Sequence, residues 1–407
     1  MIFPHYQETT DGNQFINKTI DNAIWTCFAL WILIDSFNGY ALMNHMNWRP
    51  SQIFKFIVLV IVIARLIHLS TIKKLFVFLL PYIILVLFNS YNLNVNPFDT
   101  FTLLMKPLSS FVFFVYFQYI ATKDVLYFEK KFWNVFVLSF IFFISNIIIG
   151  LLGYGMNVYN TSNSDASFGV KGFLYAQNEM SGLVIYLYPI ILYYIRRYYS
   201  RIVYYLFFLL IVFISFSIGT KTSLAVAFLT GFMVTYYLAN KLEKTLIVIL
   251  GITILTTGIL YLTYLMTIEL DIIERFMYFY EKNGLVDAVT SGRLNYWDER
   301  SAPFFRMDLI TQILGWGNRN IVCEMDPYDA ILNFGYIGGL INSLFLLYLI
   351  IVPRFWRHKD KYQKIMVFCN ALLFIFSIFS GHIFFSSMAG LFIALANARL
   401  YTPKTII

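Results

Sequence analysis

Three carboxylates stand immediately before a long apolar run, and their types and spacing suit proton transfer. Glu324, Asp326 and Asp329 precede the run 330–352. If a helix begins near Asp326, with Pro327 in its first turn, Asp326 and Asp329 share one face of that helix. A carboxylate at a poorly hydrated helix mouth is a stronger base than one in water, which suits a general base. Capping of the helix by Asp326 is the alternative interpretation.

Three basic residues elsewhere could hold an anion opposite these acids. Lys106 precedes Pro107 inside an apolar run, where a protein-lined cavity would accept the backbone groups that the proline frees. Lys221 follows the turn residue Gly219 among hydroxyl side chains, and Arg293 follows a Ser-Gly turn and opens an amphipathic segment. The planar guanidinium group of Arg293 suits two-point contact with a phosphate. A lysine that reaches lipid headgroups and a solvated loop arginine are the simpler alternatives.

Other polar and aromatic side chains have weaker claims on chemistry. His382 follows Gly381 near the end of an apolar run, where packing at an interface is the simpler interpretation and proton handling the alternative. The three cysteines show no spacing typical of a disulfide framework or a zinc site, and no metal or cofactor is predicted. Aromatic residues in the same polar stretch could stack on pyranose rings, although interfacial aromatic belts explain most such residues. They are Tyr278, Tyr280, Tyr296, Trp297, Trp316 and Tyr328.

The composition indicates a membrane protein. Of the 407 residues, 59% are hydrophobic and 13% are charged, whereas soluble domains are about one quarter charged. Apolar stretches long enough to cross about 30 Å of hydrocarbon as a helix recur along the chain. The net charge of +8 does not indicate nucleic-acid binding, because the basic residues are scattered between the apolar stretches.

The apolar stretches must therefore position these residues. We predict an all-α, polytopic protein with about twelve transmembrane helices, forming a single integral membrane domain over residues 1–407. The predicted spans are 20–43, 51–70, 74–90, 101–121, 132–155, 179–195, 202–219, 221–240, 245–266, 329–352, 365–383 and 385–399. With the N-terminus inside, 18 basic residues lie on the cytoplasmic side and eight on the outer side. Both termini are therefore predicted to be cytoplasmic.

Two segments on the predicted outer side are long. Residues 156–178 are rich in Asn and Ser over 157–167, which predicts a mobile loop. Residues 267–328, between the ninth and tenth spans, are predicted to form an extracytoplasmic subdomain with short amphipathic helices that carries part of the site. Lys106, Lys221 and Arg293 all fall on this outer side, which favours a common site.

Two further cations lie inside a predicted span and need a reason to be there. Lys55 and Arg65 are near opposite ends of the span 51–70. A basic group at the centre of a bilayer costs about 2.5–3.5 kcal/mol on insertion scales. The simplest prediction is that both side chains extend along the helix to the two interfaces.

Five short motifs follow one another between about residue 172 and residue 395. They are Ala176-Gln-Asn178-Glu-Met-Ser181, Gly219-Thr-Lys221-Thr-Ser, Ser291-Gly-Arg293 with Trp297, Gly315-Trp-Gly317 and Gly335-Tyr-Ile-Gly338. Their order and spacing, with the long outer loop before the tenth span, resemble the O-antigen polymerase and O-antigen ligase superfamily of bacterial membrane glycosyltransferases. The N-terminal third is similar only in its hydrophobic spans.

The resemblance implies a metal-independent transferase that works on undecaprenyl-pyrophosphate-linked glycans at the outer face of the cytoplasmic membrane. Basic residues that match Lys221 and Arg293 hold the pyrophosphate in members of that superfamily. The position of Glu324, eleven before Gly335, belongs to a His-Asn pair in the ligase branch. Glutamate there favours polymerisation over ligation onto a lipid A core, and makes Glu324 the first candidate base and Asp326 the second.

The expected function is therefore polymerisation of lipid-linked repeat units into a surface polysaccharide of O-antigen or capsule type. Lys106, Asn178, Asp329 and His382 are further predicted substrate contacts. Expected partners are the lipid-linked donor and acceptor, the bilayer, a chain-length regulator and a flippase, with no nucleic acid. Two alternatives stay open, which are ligase-type transfer of finished glycan to another acceptor and secondary transport of an anionic solute.

Overall fold

A computed structural model describes residues 12–46, 48–69, 97–159, 168–241, 293–315, 325–355, 360–379, 381–384 and 386–402, with a few residues at 80–91, 243–245, 280–284 and 323. Within these ranges the chain is mostly helical, as predicted. The helices are α1 (Gly12–Ala29), α2 (Trp31–Met43), α3 (Pro50–His68), α4 (Pro97–Lys123), α5 (Val125–Leu151), α6 (Gln177–Tyr198), α7 (Arg201–Ile218), α8 (Lys221–Leu238), α9 (Arg293–Phe305), α10 (Leu309–Leu314), α11 (Asp326–Phe355), α12 (Lys361–Phe379) and α13 (Ser387–Ala398). The strands are β1 (Met156–Tyr159) and β2 (Phe168–Gly172).

Several of these helices have the length and composition of membrane spans. Among the described residues five qualify, namely α3, α5, α7, α11 and α12. Helices α1 and α2 add a sixth if their 49° bend lies within one span. The predicted number of twelve and the cytoplasmic location of both termini stay predictions. The predicted span 245–266 lies almost wholly outside the described residues, and most of 74–90 does as well.

Helix boundaries follow from side-chain caps in the connecting segments. The carboxylate of Asp124 accepts a hydrogen bond from the amide of Tyr127 at the start of α5, and the hydroxyl of Ser200 caps α7 in the same way. Between α7 and α8, Gly219 adopts φ 73° and ψ 10°, a left-handed conformation that glycine reaches without strain. Thr220 then caps α8. The turn predicted at Gly219 is therefore confirmed.

Helices α6 and α13 occupy the centre of the bundle. Every residue of α13 from Met388 to Ala398 is buried, and this helix packs against α2, α4 and α6. Helix α6 is buried almost continuously from Met180 to Leu192. At 12 residues, α13 is about 18 Å long. It is therefore enclosed by its neighbours along its whole length.

The segment predicted as a mobile loop contains a packed hairpin. Strands β1 and β2 pair antiparallel, and β2 packs against α5 and α7. The side chain of Asn146 on α5 accepts a hydrogen bond from the Phe173 amide at 3.3 Å and donates one to Ser36 on α2 at 2.6 Å. Residues 157–159 of the stretch predicted to be mobile are paired in β1, residues 160–167 lie outside the described part of the chain, and the mobility of the stretch stays a prediction. We call this end of the bundle the hairpin end.

The two cations of α3 form buried ion pairs and do not extend to the interfaces. Lys55 lies 2.6 and 2.8 Å from the two carboxylate oxygens of Asp35, and Arg65 makes two hydrogen bonds to Asp21 at 3.0 and 2.9 Å. Both basic residues are buried. The prediction that they reach the interfaces was wrong, because Asp21 on α1 and Asp35 on α2 neutralise them inside the bundle.

The end opposite the hairpin is closed by a third buried pair. Arg399 bonds to Glu129 at 2.7 Å, and four aromatic rings surround its guanidinium group, the nearest being Tyr362 with its centroid at 4.2 Å. This pair joins the end of α13 to the start of α5. We call this end of the bundle the opposite end.

Candidate functional site

Asp326 is the first residue of α11 and is almost completely buried, at 1% exposure. Its Oδ2 atom accepts hydrogen bonds from the backbone amides of Ile383 at 2.9 Å and Phe384 at 2.6 Å. Its Oδ1 atom makes no hydrogen bond within the described part of the structure. One oxygen therefore fixes the carboxylate while the other keeps its lone pairs, which is the arrangement that a positioned base requires. These bonds go to a different loop, so the interpretation of Asp326 as a helix cap was wrong.

The loop that holds Asp326 joins α12 to α13. Gly381 and His382 both have positive φ, 59° and 53°. Positive φ is unusual for a residue other than glycine and often marks a functional or constrained position. The turn aims the following amides at Asp326, so His382 contributes backbone geometry to this group. We call residues 381–386 the α12–α13 loop.

Glu179 in the first turn of α6 meets the same loop from the other side. Its Oε2 atom accepts a hydrogen bond from the hydroxyl of Ser386 at 2.9 Å, and its Oε1 atom lies 3.2 Å from the ammonium group of Lys106. Ser386 also accepts a bond from the Ala389 amide and so caps α13. Lys106, Glu179 and Asp326 are thus connected through the α12–α13 loop.

A second group of buried polar side chains, centred on Lys55, lies beside Lys106, Glu179 and Asp326. Lys55 donates a hydrogen bond to the Ser387 hydroxyl at 3.3 Å in addition to its contacts with Asp35. The indole of Trp31 donates to the Ser387 carbonyl at 3.0 Å. Helices α2, α3, α4, α6, α11 and α13 therefore converge on one polar network at the hairpin end, which we call the convergent network.

Asp329 holds the backbone that precedes α11, and its predicted contact with substrate stays a prediction. It is 3% exposed, and its two oxygens accept the amides of Cys323 at 2.6 Å and Met325 at 3.2 Å. The two acids of α11 share a buried location but hold different backbone segments. Burial and the charge of Asp329 raise the pKa of the Cys323 thiol to about 12, so that the thiol stays protonated at neutral pH. Asp329 fixes the backbone segment that leads into α11, and the described hydrogen bonds of its carboxylate are with that backbone.

Arg293 begins α9, and this helix packs against the start of α11. The ring of Trp297 contacts Tyr328 at 4.6 Å and Phe305 at 6.0 Å. Trp297 and Tyr328, two of the residues predicted to stack on sugars, pack in a small apolar cluster with Phe304 and Met325. Their packing brings the helix that carries Arg293 next to the helix that carries Asp326.

Two glycines of the sequence motifs explain how α10 is attached to α11. Gly335 has φ 66° and ψ −173° inside α11, a conformation that is essentially restricted to glycine. A Cβ atom at Gly335 would lie 2.3 Å from the Ile313 carbonyl oxygen, and one at Gly315 would lie 2.6 Å from the Gly335 nitrogen. The two motifs therefore meet as a backbone contact between α10 and the break in α11.

For the other predicted site residues, the structure describes less of the side chain and its contacts. Lys221 is the first residue of α8, next to the Gly219 turn, and its side chain is outside the described part of the structure, as is Glu324. Asn178 lies in the first turn of α6 beside Glu179 and is partly buried. Among the described residues, no three His, Cys, Asp or Glu side chains converge as metal ligands would.

Glu179 is the functional candidate that the sequence reasoning missed. It stands inside a quoted motif, next to Asn178, and it is an acid within a predicted span. An acid there is as costly as the basic residues that attracted notice. A survey of carboxylates within the spans would have found Glu179 together with Asp21 and Asp35.

The comparisons with known proteins add no relative. No family model matches the chain, and searches of curated proteins and of solved structures also find no match.

Proposed function

We propose that this chain is a membrane glycosyltransferase that polymerises undecaprenyl-pyrophosphate-linked oligosaccharide repeat units at the outer face of a bacterial cytoplasmic membrane. The observation that carries the proposal is Asp326, a buried carboxylate with one oxygen fixed by two amides and the other without a described partner. It belongs to the same network as Lys106, whose side chain is 40% exposed. A base and an accessible cation are the two groups that such a transfer needs.

The reaction that we propose is a direct displacement at the anomeric carbon of the donor. The acceptor hydroxyl attacks this carbon, the bond from the carbon to the pyrophosphate oxygen breaks, and the bonding electrons leave with the pyrophosphate. The proton of the hydroxyl passes to a carboxylate, either Asp326 or Glu324. Displacement from the opposite face predicts inversion at the anomeric carbon.

The leaving group needs positive charge more than it needs a proton. Lys106 supplies one cation at the α12–α13 loop. Arg293 is the second candidate, because the packing of Trp297 on Tyr328 brings α9 against the mouth of α11. Lys221 is the third, at the start of α8. A planar guanidinium group is well suited to bridge two phosphate oxygens.

The deciding experiment incubates the purified protein with a defined lipid-linked repeat unit and a chelator and separates products by size. A ladder of repeat lengths is the expected result, and a single transfer to another acceptor would instead support the ligase alternative. Arg293→Ala should remove the ladder while the protein still inserts and folds. A ladder of unchanged length and amount from both Arg293→Ala and Glu324→Ala would refute this site.

Secondary transport of an anionic solute is the second candidate, and two observations favour it. Helices α1 and α2 are bent by 49° at their junction, and α11 is interrupted at Gly335. Broken helices near buried charges such as Lys55 are typical of transporter binding sites. Uptake of a labelled anionic sugar phosphate into proteoliposomes, without any elongated product, would support transport over polymerisation.

A further inference from the structure

The two lysines of the convergent network are held in different ways. The pair of Lys55 and Asp35 is closed, since both side chains are 8% exposed and the ammonium lies within 2.8 Å of both oxygens. The pair of Lys106 and Glu179 is open. Lys106 is 40% exposed and touches one oxygen at 3.2 Å, longer than the 2.7–2.9 Å typical of a charge-assisted bond.

Glu179 and Lys106 also differ in how firmly other contacts hold their side chains. Glu179 is 12% exposed, and its second oxygen is fixed by Ser386, which in turn caps α13. Lys106 has a long flexible side chain whose ammonium group has a single described carboxylate partner. The lysine can therefore leave while the glutamate stays in place with its other bond intact.

The charge of the convergent network makes this exchange necessary for anion binding. Its described members are two lysines, Lys55 and Lys106, and three acids, Asp35, Glu179 and Asp326. The carboxylate of Glu179 lies 3.2 Å from the ammonium group of Lys106 and neutralises it before any ligand arrives. An incoming phosphate must therefore compete with Glu179 for the same ammonium group.

We propose that Glu179 is a built-in competitor that limits how tightly Lys106 holds the pyrophosphate of an isoprenoid-linked ligand. This inference rests on the proposed function for the identity of the ligand. Lys106 turns from Glu179 to the pyrophosphate on binding, and it returns to Glu179 when the pyrophosphate leaves. Glu179 is thus a positioning residue that favours product release, acting through Lys106 and without touching the sugar.

The test compares binding of farnesyl pyrophosphate, a short isoprenoid pyrophosphate, to the full chain in nanodiscs. Glu179→Gln keeps an acceptor for Ser386 but removes the competing charge, and it should bind the probe about fivefold more tightly. This factor corresponds to about 1 kcal/mol, the upper end for a partly exposed ion pair. Lys106→Met should weaken binding, and the double variant should bind like Lys106→Met alone, because the two residues act as one unit.

A matched control is available at the opposite end. Glu243 pairs with Arg201 in a partly exposed contact of the same kind, and Glu243→Gln should leave the affinity unchanged. If Glu179→Gln does not fold, Glu179→Asp retracts the carboxylate from Lys106 and should also tighten binding, by a smaller factor. In turnover, Glu179→Gln should lower both KM for the donor and kcat, whereas simple loosening of the fold would raise KM.

The outcomes separate this inference from the proposed function. Wild-type binding of the probe with equal or weaker binding by folded Glu179→Gln and Glu179→Asp would overturn the competitor role and leave the proposed function standing. No binding of the probe by a wild-type chain that still forms the ladder would overturn the competitor role alone, whereas no binding together with no ladder would overturn both. Tighter binding by Glu179→Gln that persists in the Lys106→Met background would also overturn the competitor role, because the gain in affinity would then not depend on Lys106.

Discussion

Substitution of Asp326 separates its two inferred roles, proton acceptance and attachment of the α12–α13 loop. Hydrogen bonds to a charged group contribute about 1.5–3 kcal/mol each, and Oδ2 accepts two of them, at 2.9 and 2.6 Å. Asp326→Ala removes both and leaves two buried amides without a partner, so we expect a loss of roughly 3–5 kcal/mol in the free energy of unfolding. Asp326→Asn retains a carbonyl oxygen for both amides and should lose roughly 1 kcal/mol.

Activity should respond in a different order from stability. Asparagine cannot accept the proton of an attacking hydroxyl, so Asp326→Asn should lower the rate of chain elongation by a factor on the order of 10²–10⁴. Elongation is measured from the ladder of products on a gel, and stability from thermal unfolding in detergent followed by tryptophan fluorescence. Asp329→Asn is the matched control, because that acid holds the backbone at Cys323 and Met325 and should reduce elongation far less.

Two results would contradict this reasoning. A ladder formed by Asp326→Asn at the wild-type rate would exclude Asp326 as the base and leave Glu324 as the candidate. Wild-type stability in Asp326→Ala would show that the two amides are satisfied in another way. In that case the loop would not depend on Asp326 for its position.

Three further predictions follow from packing and charge elsewhere in the chain. Gly335→Ala should destabilise the fold by at least roughly 2 kcal/mol, because its backbone conformation is costly for alanine, and faster proteolysis of folded protein near α10 is the readout. Glu129→Ala strands the buried Arg399 guanidinium group, and we expect a loss of roughly 3–5 kcal/mol in thermal unfolding, whereas an unchanged melting curve would contradict the pairing. The hydroxyl and amide of Thr311 hold the pKa of Asp308 below its usual value. The ionised Asp308 carboxylate therefore stabilises the fold above the unfolded pKa of about 3.9, and this stabilisation is lost as the pH falls through the folded pKa. Hydrogen exchange of α10 in Asp308→Asn should therefore differ from wild type near neutral pH and converge with it under strongly acidic conditions.

Local rules predicted the features that depend on neighbouring residues. Gly219 between two apolar runs is sufficient to predict a turn, because few other residues adopt its backbone conformation without strain. The start of α11 near Asp326 follows from Pro327 and the change from polar to apolar sequence. The spacing of Asp326 and Asp329 predicts a common face on that helix, whereas the burial of both is known only from the structure.

The sequence could not show which groups would meet across helices. Lys55 and Arg65 were expected at the interfaces because their partners, Asp35 and Asp21, are on other helices at no fixed spacing. The amides that hold Asp326 belong to a loop 57 and 58 positions further along the chain. Backbone amides carry no sequence signal, so neither that loop nor its link to Glu179 could be read from residue types.

The position of α13 has a consequence for how the protein is made. The helices that enclose it, α2, α4 and α6, all leave the ribosome earlier, and domains generally fold from the N-terminus during synthesis. Until residues 386–398 are translated, these helices surround an unfilled cleft, and Glu179 lacks its serine donor. A nascent chain arrested before that point would therefore be inserted but immature, with apolar surface open to proteases and to neighbouring chains.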